Sequence, residues 1–224
     1  GNRQPDGSFY NAGHISGPPF GAGIPGYGGL IIGTNGIQSN VDSLYLKVDK
    51  PYTRASHWGV TLAYTYNHAR ENHDTSDGAS YLLDYPTAGA APMLRSSTVP
   101  MHKLVATGTH DLPLGFIVSG KLTLATPKSI RGFNCNVQAN NDCIAATAQQ
   151  NSFRQFDLSL SKAFELPAGV NVGLRVDVIN VFNYYNWQDY NVAWGGPGVA
   201  SVATPSGTLS APPRTVKLGV FANW

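Results

Sequence analysis

The sequence has few charged residues, few cysteines and no long apolar run. Charged side chains make up 12% of its 224 residues, about half the usual share of roughly 25%. The formal net charge of +2 argues against a nucleic-acid-binding protein, because such proteins carry a clear positive surplus. No stretch approaches about 18 consecutive apolar residues, so no transmembrane helix is predicted. A basic segment followed by an apolar one, which would mark a signal peptide, is not seen in this chain.

Patterns that carry chemistry are also scarce. The six histidines are scattered, and neither a serine–histidine–aspartate order nor a carboxylate pair stands out. Gly21, Gly23 and Gly26 match the literal spacing of a dinucleotide-binding loop, but the strand and helix that must flank such a loop are not predicted. We therefore expect no catalytic residues, no metal site, no cofactor and no enzymatic activity.

The two cysteines, Cys135 and Cys143, lie close together in a polar segment. A metal site would need further ligands, and no histidine or second cysteine pair lies nearby with ligand spacing. A disulfide that closes a short loop in an oxidising compartment is the stronger prediction.

Glycine and proline are abundant, at 25 and 15 residues, which disfavours helices and favours short strands and turns. Residues 1–40 are rich in glycine, proline and asparagine and are predicted to form a long loop. Beyond them, apolar and polar residues alternate. From Val170 to Val178 every even position is aliphatic, and the odd positions are Asn, Gly, Arg and Asp. Such alternation predicts strands with one apolar and one polar face.

Seven strands are predicted, and the connections between them alternate in length. The connections near Pro51, Pro113 and Pro167 are short, whereas those over about 70–100, 126–152 and 184–213 are long. Short turns at one end and long loops at the other are typical of an antiparallel up-and-down transmembrane β-barrel. A soluble β-sandwich is the alternative. The predicted strands cover residues 41–49, 56–69, 101–110, 115–125, 153–164, 170–183 and 214–224.

The last strand ends on an aromatic residue. Counting back by twos from Trp224 gives Ala222, Val220, Leu218 and Val216, an apolar face along the whole strand. This pattern resembles the C-terminal signal of bacterial outer-membrane proteins, a final strand that ends in Phe or Trp and is read by the barrel-assembly machinery. The resemblance implies that Val216, Leu218, Val220 and Trp224 form such a signal.

Three further segments are similar to strands of TonB-dependent receptors, in particular the Oar-like branch. They are Ser43–Thr53, Trp58–Tyr66 and Arg175–Asn183, the last of which ends in an Asn-x-Phe-Asn element. The resemblance covers most of residues 41–224 and implies the C-terminal strands of a 22-stranded barrel. It also implies a bacterial outer-membrane location, with the C-terminus and the short turns in the periplasm. The long connections and residues 1–40 would then be extracellular.

The same resemblance implies active uptake of a scarce solute, such as a siderophore, cobalamin, a glycan or a peptide. The implied partners are outer-membrane lipid, the remainder of the barrel with its plug, the TonB complex and the barrel-assembly machinery. Neither a plug nor a TonB box is visible in this sequence, so the chain is expected to be a fragment or one piece of a split receptor. A self-contained small barrel acting as an adhesin or structural protein is the alternative, with residues 26–37 as an eighth strand. An extracellular all-β binding module is a third class.

An aromatic group follows the sixth predicted strand. Trp187, Tyr190 and Trp194 lie in a long loop, where exposed aromatic side chains are candidate binding anchors. Packing within the loop, or an interfacial ring of aromatics at the membrane surface, is an equal alternative.

Overall fold

The computed structural model describes residues 37–72, 92–134, 144–191, 193–194 and 204–223. These residues form β-sheet that is mostly antiparallel, and the only helical segments among them are the single turns Pro113–Gly115 and Pro167–Gly169. None of the helices in this part of the chain has the length and apolar character needed to cross a membrane.

The described strands belong to two sheets and are β1 (Ser39–Lys50), β2 (Trp58–Glu71), β3 (Leu94–Arg95), β4 (His102–Leu112), β5 (Phe116–Ala125), β6 (Ser129–Asn134), β7 (Ile144–Gln149), β8 (Phe153–Glu165), β9 (Asn171–Ile179), β10 (Ala193–Trp194) and β11 (Thr215–Asn223). Seven long strands of the large sheet follow one another in sequence order, each antiparallel to its neighbour, as β1-β2-β4-β5-β8-β9-β11. The short strand β3 is the eighth member of this sheet and pairs with the end of β2. A second, small sheet has the order β10-β6-β7.

The predicted all-β, antiparallel class is therefore confirmed, and the seven long strands correspond to the seven predicted ones. Their bounds agree with the predicted ones to within two residues, except at the end of β9. β9 ends at Ile179, because Asn180 has a φ of 54° and turns the chain away from the sheet. Asparagine tolerates this left-handed conformation better than most residues do. β1 begins at Ser39, just inside the predicted N-terminal loop, and the residues before 37 lie outside the described chain.

A second difference concerns the long connections, which were predicted as loops and which contain short strands. β6 and β7 form an antiparallel hairpin, and β10 adds to β6 in parallel. The β7 sequence, Ile-Ala-Ala-Thr-Ala-Gln, has no clear alternation and is rich in alanine, which is depleted in strands. Pairing with β6, and not local preference, makes this segment a strand.

The seven strands are in a register that gives the sheet one apolar and one polar face. Directly paired residues point to the same side of a sheet. One apolar row runs Val48, Leu62, Ala106, Leu122 and Phe156 across five strands. The polar face has matching rows, such as Thr109, Ser119, Ser159, Asp177 and Lys217.

The apolar face is open to the surroundings. Side chains along it are strongly exposed, with fractions of 63% for Val48, 50% for Leu174 and 81% for Leu218. Only three hydrophobic residues of the described chain are buried, namely Ala69, Ile130 and Tyr190. No other described element covers the apolar face, so this sheet does not pack like one half of a β-sandwich.

The two ends of the sheet differ in the length of their connections. At one end, called the turn end, the chain reverses through residues 51–57, 113–115 and 166–170. Leu114, Gly115 and Gly169 all have positive φ values there, which closes the chain tightly. At the opposite end, called the loop end, the connections run from 72 to 101, 126 to 152 and 180 to 214. Within the described residues β1 and β11 are not paired with each other, and the sheet is open.

Candidate functional site

A cavity of about 620 Å³ lies on the polar face at the loop end. Its floor is a row of paired residues from three strands, Lys103 of β4, Ala125 of β5 and Phe153 of β8. Its walls come from the segments that follow these strands. The volume lies in the range of about 300–1,000 Å³ that is usual for small-molecule sites.

One wall is held by backbone and hydroxyl contacts after β5. The Thr126 amide donates to the His102 carbonyl at 3.0 Å, and the His102 amide donates to Thr126 Oγ1 at 3.0 Å. The Gln150 amide then donates to the Lys128 carbonyl at 3.0 Å. These bonds hold Lys128 and Gln150 next to each other, and both line the cavity.

The opposite wall depends on the side chain of Asn186, which is buried. Its Nδ2 donates to the Arg154 carbonyl at 2.8 Å, and its Oδ1 accepts from the Arg154 amide at 2.9 Å. The side-chain amide of Asn186 thus makes the two hydrogen bonds to the Arg154 backbone that a neighbouring strand would otherwise make. Trp187 follows directly and lines the cavity, and its ring stacks on Tyr185 with a centroid distance of 6.2 Å.

The start of the same loop is held by Asn180, whose side chain is fully buried. Asn180 Nδ2 donates to the carbonyls of Tyr184 and Pro212, at 2.9 and 3.0 Å, and its Oδ1 accepts from the Tyr184 amide at 3.0 Å. Asn183 Oδ1 accepts from the Arg214 amide at 2.9 Å. The asparagines of the Asn-x-Phe-Asn element therefore connect the end of β9 to the start of β11.

The tip of the loop is held by Asp189, beside the cavity residue Gln188. The Asp189 carboxylate accepts from the Thr208 hydroxyl at 2.7 Å and from the Thr208 amide at 3.1 Å. These two hydrogen bonds, the hydroxyl first, lower the pKa of Asp189 below its ordinary value.

The charge in the cavity is of one sign. Lys103 and Lys128 line it, and none of the lining side chains that the structure describes is acidic. Neither lysine ammonium makes a hydrogen bond or ion pair within the described part of the chain. Groups of three or more metal-ligating side chains are likewise absent from the described residues.

The predicted binding residues have different surroundings. Trp187 lines the cavity, whereas Tyr190 is buried, with 8% exposure, and its hydroxyl accepts from the amide of the lining residue Asn151 at 3.0 Å. The backbone of Trp194 pairs with Asn134 in the small sheet. Ligand contact at these three residues stays a prediction.

Sequence reasoning missed Lys103, Lys128 and Asn186. Lys103 carried a signal, since it occupies a polar-face position of a predicted strand, but a single lysine on such a face is ordinary. Nothing in the local sequence indicates that Lys128 lines the same cavity.

The remaining predicted residues divide between described and undescribed parts of the chain. Val216, Leu218 and Val220 lie on the apolar face of β11 with exposed fractions of 61%, 81% and 74%. Cys135, Cys143 and Trp224 lie outside the described residues, so the disulfide and the terminal aromatic stay predictions.

Aromatic side chains lie near both ends of the sheet. At the loop end the rings of Phe156, Phe182 and Tyr184 follow one another at centroid distances of 5.8 and 5.9 Å. At the turn end Lys162 Nζ lies 4.8 Å from the ring of Phe116 and 4.9 Å from that of Phe164. The aliphatic part of the apolar face lies between these two groups.

Comparison with protein-family models and with curated proteins gives no match to this sequence.

Proposed function

We propose that this chain forms part of the barrel wall and outer loops of a TonB-dependent outer-membrane receptor that takes up a scarce solute. The observation that carries this proposal is the apolar face that seven strands share and no described element covers. An exposed apolar patch much larger than a few hundred Å² is rare on a soluble monomer. Lipid is the surrounding in which such a face is stable.

The position of the aromatic residues supports a membrane-spanning sheet. Outer-membrane barrels have an apolar band about 25 Å tall, bordered by aromatic residues at both interfaces. Phe156, Phe182 and Tyr184 border the apolar face at the loop end, and Phe116 and Phe164 border it at the turn end. The long strands have 9 to 14 residues, which is compatible with the roughly 9–11 residues that a tilted strand needs to cross.

The polar face supports a water-filled interior. Its side chains bond to one another, as in the contact of Arg175 Nε with Asp177 Oδ1 at 2.7 Å and with Ser159 Oγ at 3.1 Å. In a receptor this face would surround the plug. The cavity at the loop end would then belong to the extracellular capture surface, and the turn end would face the periplasm.

The two edge strands of the sheet need pairing partners if the sheet is to lie in a membrane. β1 and β11 each present unpaired backbone groups along one edge within the described chain, and such groups cost several kcal/mol each in hydrocarbon. We propose that further strands of the receptor barrel pair with these two edges. The TonB complex would act through the plug, and the barrel-assembly machinery would recognise the strand that contains Val216, Leu218 and Val220.

Fractionation of native cells tests the membrane assignment. We expect the chain in the outer-membrane fraction, resistant to alkaline carbonate and released only by detergent. A monodisperse monomer with native β-structure in the absence of detergent would overturn it.

Uptake in cells with and without TonB then separates a receptor from a small adhesin barrel, since only the receptor loses uptake when TonB is deleted.

A further inference from the structure

We propose that the loop-end cavity binds a carboxylated oligosaccharide, with Lys103 and Lys128 as the residues that recognise its carboxylates. This inference rests on the proposed function, because it takes the cavity as the capture site of a receptor. Its first support is the charge, since two lysines and no described acidic side chain line the cavity.

The two ammonium groups are available to a ligand. In the described chain neither takes part in a hydrogen bond or an ion pair, unlike Arg175, which contacts Asp177 at 2.7 Å. A lysine ammonium is a compact charge with three donors, which suits a carboxylate. A cationic ligand would be repelled, and an apolar one would leave both charges without a partner.

Neutral polar groups supply the second support. The side chains of Thr123, Gln150, Ser152 and Gln188 line the cavity, and none of them is engaged by another residue of the described chain. Together they offer amide and hydroxyl donors and acceptors on several sides of the same space. A ligand with many hydroxyl groups can satisfy such an array, whereas a single inorganic anion would leave most of it unused.

Two aromatic rings supply the third support. Trp187 and Phe153 line the same cavity, and Trp187 is supported from outside it by Tyr185. A sugar ring has apolar C–H faces and a polar edge, so it can contact an aromatic ring while its hydroxyls reach the amides. The cavity thus offers aromatic rings that can stack on sugar rings, amides that can bond to hydroxyls, and ammonium groups that can bind carboxylates. Together these groups fit an acidic sugar chain.

The test uses the complete receptor in detergent, with trigalacturonate and neutral galactotriose as matched probes in calorimetry. We expect trigalacturonate to bind at least about tenfold more tightly than galactotriose. Its affinity should fall as the salt concentration is raised, because the preference depends on charge. Lys103→Gln and Lys128→Gln should each lower the affinity for trigalacturonate by about three- to fivefold, the effect expected from the loss of one partly exposed ion pair. The galactotriose affinity should not change.

Lys121→Gln is the matched control, because Lys121 lies on the same polar face but outside the cavity, opposite Asp157. Equal affinity for the two probes, or no loss in the Lys103 and Lys128 variants that keep their β-structure by circular dichroism, would overturn the inference. Failure of the proposed function looks different, since the protein would then be water-soluble without detergent. A protein that inserts into membranes and does not discriminate between the probes contradicts the inference alone.

Discussion

The ring of Phe221 lies across Gly173, its directly paired residue on the neighbouring strand. A Cβ atom placed on Gly173 would come within 1.9 Å of Phe221 Cζ and 2.3 Å of Cε1. The phenyl ring therefore occupies the space that any side chain at position 173 would need. This contact explains how a phenylalanine is accommodated on the polar face of β11, because one side of its ring packs on the backbone of Gly173.

Gly173→Ala should displace the Phe221 ring and destabilise the protein by up to about 1 kcal/mol, the low end of the cost of overpacking, because the ring is 43% exposed and can move away. Gly219→Ala is the control, because a Cβ there has its nearest neighbour at 3.9 Å, on the same face and the same strand pair. Urea unfolding in lipid vesicles measures both. Equal losses in the two variants would contradict the close packing at Gly173.

Adjacent residues of β5 should differ sharply in their tolerance of arginine. Leu122 lies in the apolar row between Ala106 and Phe156, whereas Thr123 points to the polar face. In a lipid-facing position Leu122→Arg should cost about 2–4 kcal/mol, and Thr123→Arg should cost little. The same vesicle unfolding assay compares them. If both variants were equally stable, the apolar face would not be in contact with lipid.

Asn180→Asp should destabilise the 180–214 connection, because the replacement oxygen would face the carbonyls of Tyr184 and Pro212 that now accept from Asn180 Nδ2. Leaving buried acceptors without a donor costs about 1–3 kcal/mol, and more for a charged group. Limited proteolysis of the connection measures the effect.

Asn183→Asp is the control for that experiment, since Asn183 also has a φ of 54° and uses only its Oδ1, which an aspartate keeps. It should retain near wild-type resistance to protease. Equal cleavage of both variants would show that the buried amide of Asn180 does not hold the connection.

The loop tip should loosen in acid. The Thr208 hydroxyl and amide hold the pKa of Asp189 below its ordinary value of 3.8. A lowered folded-state pKa means that the carboxylate stabilises the folded loop above its unfolded pKa and that this contribution is lost as pH falls through the folded one. The protection of the Thr208 amide from hydrogen exchange, relative to its intrinsic rate, should therefore fall below about pH 3.8, and Asp189→Asn should remove that pH dependence. An unchanged acid response in the variant would assign it to another group.

The seven long strands were predictable from the sequence because strand alternation is local. In β9, residues such as Val172, Leu174 and Val176 point to one side whatever the strand pairs with, so their spacing alone identifies a strand with an apolar face. The lengths of the connections are equally local, since they depend on where alternation stops. The class of fold and the division into a turn end and a loop end therefore followed from residue order.

The cavity and the loop structure were decided only by tertiary contacts. Lys103 and Lys128 are distant in sequence, and the antiparallel register of β4 with β5 and the bonds after β5 bring them to one cavity. The alanine-rich β7 is a strand only because β6 pairs with it. The sequence places Asn180 near the end of a predicted strand and Asn186 in a predicted loop, yet both side chains are buried and hydrogen-bond to the backbone of distant segments. The alternation within one segment determines on which face of the sheet each side chain lies. Which residues meet across strands and loops depends on the pairing register, and no single segment determines that register.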